Sequence, residues 1–95
     1  MKPYKKSLRQ LTGTLYESND GLLGVPIVEL AGDHRVLIEN HRGVVEYGTE
    51  SICVKVKYGL LCVRGSDMEL AKMTKDQLVI AGKIESVTIQ RKGQI

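Results

Sequence analysis

The chain has 95 residues, of which 42% are hydrophobic and 26% charged, and its net charge is +3 at pH 7. This length suffices for one domain with a modest core, and no apolar run reaches the 18 residues typical of a membrane-spanning helix. The aromatic residues are four tyrosines, so we expect a core of valine, isoleucine and leucine. Two cysteines, Cys53 and Cys62, are too few for a disulfide scaffold, and we expect free thiols and a cytoplasmic location.

The first twenty residues form a basic arm. Lys2, Lys5, Lys6 and Arg9 all precede the first acidic residue, Glu17. Three leucines with helical spacing favour a short amphipathic helix at about residues 5–16, which Gly13 weakens. A flexible arm is the alternative. We therefore divide the chain into a basic arm, residues 1–20, and a single β domain, residues 21–95.

From Pro26 onward, apolar and polar residues alternate with a period of two. The clearest segment is residues 52–58, where Ile52, Val54 and Val56 alternate with more polar neighbours. This pattern predicts a strand with one buried and one wet face. Shorter segments at 27–30, 36–41 and 44–47 also predict strands, and residues 67–73 favour a strand over a helical turn.

Glycines recur at nearly regular intervals and predict the turns between strands. Gly32, Gly48, Gly65 and Gly82 are separated by 16 or 17 residues. The predicted structural turns are at Gly32, Gly43, Gly48, Gly59, Gly65 and Gly82. About eight short strands result, which favours a small antiparallel meander, barrel-like or sandwich-like. A short β-solenoid is the alternative, and an open meander would leave edge strands available for assembly.

A two-residue turn at Tyr58-Gly59 predicts how the central hairpin pairs. This register places Val56 opposite Leu61 and Val54 opposite Val63, so that apolar side chains share the inner face. Cys53 and Cys62 then become diagonal neighbours on the outer face rather than direct partners.

Three groups of polar residues are candidates for function. Glu39, Asn40, His41 and Arg42 end a strand, and Glu39 could orient His41 as a general base; a solvated turn is the favoured interpretation. Lys55, Lys57 and Arg64 form a basic stripe on the outer face, suited to an anion or a partner or simply to solvent. The spacing of His34, His41, Cys53 and Cys62 matches no tight zinc motif, and no phosphate-binding glycine loop occurs, so we expect neither a metal nor a cofactor.

The segment I-E-N-H-R-G at residues 38–43, with the glycine patterns at 59–65 and 78–87, resembles the YabP/YqfC family of sporulation proteins, and most of all its YqfC branch. The resemblance covers roughly residues 22–90. It implies a protein made in the mother cell of an endospore-forming bacterium and needed for spore development, acting at or near the forespore envelope. It implies no reaction and no catalytic residues.

These observations favour a non-enzymatic interaction or assembly module. We expect a protein partner, for which a membrane-bound sporulation protein is one candidate, or a homo-oligomer. The alternative is a peripheral module that binds an anionic membrane through Lys2, Lys5, Lys6 and Arg9. Binding of single-stranded nucleic acid is disfavoured, because Tyr58 is the one aromatic residue among the basic residues of the stripe.

Overall fold

The structure, a computed structural model, describes residues 24–93. Most of these residues lie in strands, in which apolar and polar side chains alternate. The strands are β1 (Ile27–Ala31), β2 (Arg35–Glu39), β3 (Val44–Tyr47), β4 (Ser51–Val56), β5 (Gly59–Met73) and β6 (Gln77–Arg91). The predicted all-β antiparallel fold is therefore confirmed. The prediction for the basic arm lies outside the described residues.

The six strands form one sheet in the order β1-β2-β6-β5-β4-β3. Every neighbouring pair is antiparallel, which does not fit the solenoid alternative. β3 to β6 follow one another as a meander, and the β1–β2 hairpin joins it through β6. The sheet does not close, so β1 and β3 are its outer strands.

β5 and β6 form a long hairpin at the centre of the sheet, and each of these strands has 15 residues. The first half of β5 pairs with β4, and the first half of β6 pairs with β2. Between these halves the β5–β6 pairing is interrupted by three register shifts, at Arg64/Gly65, Ser66/Glu69 and Leu70/Lys72. Such bulges bend and twist a strand, so the two halves can enclose a common core.

Two glycines permit the close backbone approach at this bend. A Cβ at Gly65 would overlap the carbonyl oxygen of Lys83, and a Cβ at Gly82 would lie 2.7 Å from the carbonyl oxygen of Asp67. The prediction that Gly65 and Gly82 mark turns is therefore wrong, because each lies inside a long strand. This is why six strands replace the eight expected. The other predicted turn glycines lie between strands or begin one, namely Gly32, Gly43, Gly48 and Gly59.

The core consists of aliphatic side chains from β2, β4, β5 and β6. Ile52, Val54 and Val56 of β4 are buried, as their alternation predicts. They belong to one cluster with Val36, Ile38, Leu61, Val63, Met68, Leu78 and Ile80. Both halves of the bent hairpin therefore share a core, as in a small sandwich.

The central hairpin differs from its predicted register by two residues. Val56 pairs with Gly59 and Val54 with Leu61, so the turn residues are Lys57 and Tyr58. The predicted pairing of Val54 with Val63 is therefore wrong. A shift by two leaves every side chain on the face where it was, because strand side chains alternate with a period of two. The apolar pattern alone could not distinguish the two registers.

Candidate interaction surface at the clasped end of the sheet

Residues 40–43, here called the clasp, connect the two halves of the folded sheet. The backbone N–H groups of Asn40 and His41 donate to the carbonyl oxygen of Asp76, at 2.7 and 3.4 Å. Arg42 donates to the carbonyl oxygen of Lys55 at 2.7 Å, and Lys55 donates back to Gly43 at 2.8 Å. The clasp thus joins the β5–β6 turn to β4.

Asn40 allows the chain to change direction as it enters the clasp. Its φ is +67°, in the left-handed region that asparagine adopts more readily than most residues. Its side-chain amide donates to the carbonyl oxygen of Val25 at 2.8 Å. One residue therefore connects the start of the described chain to the clasp.

His41 is the buried polar residue at the centre of the clasp, with 6% of its surface exposed. Its Nδ1 accepts a hydrogen bond from the backbone N–H of Gly43 at 3.0 Å. Its Nε2 lies 3.0 Å from the carbonyl oxygen of Thr74, which can only accept. Because Nδ1 accepts from Gly43, Nε2 is the ring nitrogen that can donate to Thr74. The ring thereby links the clasp to the β5–β6 turn.

The general-base alternative requires a different arrangement of His41. Glu39 would have to orient one ring nitrogen and leave the other available to a substrate. Both nitrogens instead contact backbone groups, and the Glu39 carboxylate accepts a hydrogen bond from the side chain of Gln77 at 3.4 Å. The geometry gives His41 a structural role in holding the clasp.

Cys53 and Cys62 form a disulfide bond between β4 and β5. They are direct partners in the sheet, and only 3% and 6% of their surfaces are exposed. The predictions of free thiols and of a diagonal arrangement are therefore wrong. The reason is the two-residue change in register, which moves Cys62 from opposite Lys55 to opposite Cys53.

The disulfide also contacts the outer strand β3. Glu46 is the register partner of Cys53, and its Oε1 lies 3.5 Å from the Cys53 sulfur. A disulfide sulfur carries no proton, so in the oxidised protein this approach is a packing contact. In the reduced protein the same geometry would let the thiol donate to the carboxylate.

Three of the basic residues predicted as interaction residues come together beside the clasp, and one does not. Lys55 contacts Arg42 through the backbone, and Lys57 lies in the turn that follows β4. Arg64 pairs with Ser51 at the other end of β4, near the bend. The predicted stripe is thus divided, with the disulfide between its two parts.

The structure adds two basic residues that the sequence analysis missed. Arg91 pairs with Gly59, and its guanidinium lies 5.7 Å from the centre of the Tyr58 ring. The backbone N–H of Lys92 donates to the carbonyl oxygen of Tyr58 at 2.7 Å. Their placement depends on pairing across about thirty residues, for which the sequence gives no local signal.

The outer strand β3 exposes two large apolar side chains. Val45 is 52% exposed and Tyr47 is 60% exposed. A register shift between Val44 and Glu46 interrupts the pairing of β3 with β4. A short, bulged outer strand is a poor template for a long backbone ladder, so contacts to β3 would rely on these side chains.

The candidate zinc ligands do not converge. His34 lies in the exposed turn after β1, His41 is held by backbone groups, and the two sulfurs are bonded to each other. Among the described residues, no group of three or more His, Cys, Asp or Glu side chains could hold a metal ion. Residues 24–93 also contain no helix long and apolar enough to cross a membrane.

Comparisons with known proteins identify the family. The profile of the YabP family matches residues 25–94. The chain is 23% identical over 77 residues to the uncharacterized protein YqfC of Bacillus subtilis strain 168, and the match covers 81% of this chain and 83% of that protein. No solved structure matches the chain significantly. The chain belongs to the YabP family.

Proposed function

We propose that this protein is a non-enzymatic interaction module of sporulation that associates with a second copy or with a protein partner through its outer strand β3. Membership of the YabP family fits a sporulation-related protein. The observation that carries the proposal is the unclosed sheet, whose outer strand presents Val45 and Tyr47 to solvent. Burying such side chains between proteins is favourable.

The proposal includes where the protein acts and which partner it binds. The module acts in the mother cell, at the forespore membrane, where a membrane-bound sporulation protein is one candidate partner. The assignment of a non-catalytic role is supported by His41, the best candidate base, whose ring holds the clasp together. Binding to an anionic membrane through the basic arm stays a prediction, since the arm lies outside the described residues.

A sporulation assay in a host that lacks its own copy of the gene tests this proposal. The variant Val45→Lys/Tyr47→Lys should fold normally, because both side chains are exposed, yet reduce the count of heat-resistant spores. The matched control is Met73→Lys, which changes an equally exposed apolar residue outside β3, with 52% exposure. Full spore formation by the β3 variant would contradict the proposal, as would an equal defect in the control.

A further inference from the structure

Five basic residues meet at the end of the central hairpin and are here called the basic tip: Arg42, Lys55, Lys57, Arg91 and Lys92. Two backbone hydrogen bonds assemble them, from Arg42 to Lys55 and from Lys92 to Tyr58, each 2.7 Å long. The end of β6 completes the group, because Arg91 pairs with Gly59. Three segments that are distant in sequence are thus fixed at one place.

Positive charge predominates at the tip, and the acidic residues Glu39, Glu46 and Asp76 lie at its border. The segments that meet here, residues 40–45, 54–63 and 86–93, contain the five basic residues of the tip and no acidic residue. The bend of the β5–β6 hairpin carries charges of both signs. Three basic residues, Arg35, Arg64 and Lys83, lie there among five acidic residues: Asp33, Glu50, Asp67, Glu69 and Glu85. The basic tip is therefore a local concentration of positive charge in a domain of nearly balanced charge, which favours an anionic partner.

The apolar groups at the tip narrow the class of partner. Tyr58 is 37% exposed at the hairpin turn, and Ile89, which pairs with Leu61 two pairs from the Arg91–Gly59 pair, is 59% exposed. A tyrosine and an aliphatic side chain near Arg91 are suited to the boundary between lipid headgroups and acyl chains. Nucleic acid is disfavoured, because Tyr58 is the one aromatic residue of the three segments and Arg91 lies over its ring.

We propose that the basic tip docks the β domain on an anionic lipid surface. Lys57 and Tyr58 form the turn of the central hairpin, and Arg91 and Lys92 lie beside this turn. The cations lie near the phosphate groups of the headgroups, and Tyr58 and Ile89 lie at the interface. The five cations of this surface lie within the described residues and outside β3.

Flotation of the full-length protein with vesicles tests the proposal. The probe is phosphatidylcholine containing about one third phosphatidylglycerol, with pure phosphatidylcholine as the neutral control. We expect binding to the anionic vesicles only, and strong weakening when salt shortens the range of the charges to about 3 Å at 1 M. The variant Lys55→Glu/Lys92→Glu should lower the partition coefficient at least about 25-fold, since each cation near such a surface contributes about five-fold.

The matched control is Arg64→Glu/Lys83→Glu, which changes net charge by the same amount away from the tip. It should retain binding within about three-fold of the wild type, and thermal unfolding should show that both variants fold. Equal losses in the two variants would overturn the proposal. So would binding that is abolished by Lys2→Glu/Lys5→Glu and unaffected by the tip variant, or binding to soluble polyglutamate with none to vesicles.

Discussion

At the scale of single residues, His41 shows how a polar group can be required for a fold without catalysing a reaction. It is buried, and its two ring nitrogens satisfy one donor and one acceptor of the backbone. The sequence could show that His41 ends a strand in a polar segment. It could not show that the ring turns inward, because its partners at Gly43 and Thr74 are brought together only by the folded clasp.

Replacing His41 with alanine should therefore destabilise the protein. The substitution removes a buried ring and leaves the Gly43 N–H and the Thr74 carbonyl without their partners, which should cost about 2–4 kcal/mol. His34→Ala is the matched control, because the His34 side chain is 70% exposed. Denaturant unfolding measures both. Equal stability of the two variants would show that the clasp does not depend on the His41 ring.

At the scale of elements, the sequence predicted strand β4 correctly but did not predict the bend in the β5–β6 hairpin. The alternation of Ile52, Val54 and Val56 was sufficient to identify β4 and its buried face. The sequence alone does not distinguish a glycine in a turn from a glycine inside a strand that is closely approached by another backbone. The prediction of turns at Gly65 and Gly82 was wrong for this reason. The sequence could not distinguish two registers of the central hairpin that differ by two residues, because both place the same side chains on the same face.

The bend makes a specific prediction for glycine substitutions. Gly82→Ala places a methyl group 2.7 Å from backbone atoms of Asp67 and Met68, at a φ of +146°, so we expect a loss of about 2–3 kcal/mol of unfolding free energy. Gly48→Ala is the control, since its Cβ would make an ordinary 3.7 Å contact. If thermal unfolding gave the two variants the same midpoint, the close approach at the bend would be refuted.

The disulfide makes a second prediction at this scale. It links residues nine positions apart, and loop-closure entropy predicts that its loss destabilises the protein by about 2.6 kcal/mol. We therefore expect dithiothreitol to lower the unfolding midpoint of the wild type by roughly 10–20 °C. The variant Cys53→Ser/Cys62→Ser should show no such response. Two thiols that react freely with a labelling reagent in the denatured, unreduced protein would contradict the bond.

At the scale of the whole molecule, the fold is a clasped but unclosed sheet with two distinct surfaces. β3 presents Val45 and Tyr47, and the basic tip presents five cations at the turn between β4 and β5. The sequence predicted an open β scaffold and named Arg42, Lys55 and Lys57 among its interaction residues. It could not place Arg91 and Lys92 beside them, nor separate Arg64 from them, because both depend on which strands become neighbours.

Self-association through β3 is tested most directly by the solution mass of the full-length protein, measured by light scattering over a concentration series. We predict a mass that rises above the 10.5 kDa of one chain as concentration increases. The Val45→Lys/Tyr47→Lys variant should remain monomeric, while Met73→Lys should behave like the wild type. A wild-type protein that stays at the mass of one chain throughout, or a β3 variant that assembles equally well, would contradict self-association through β3.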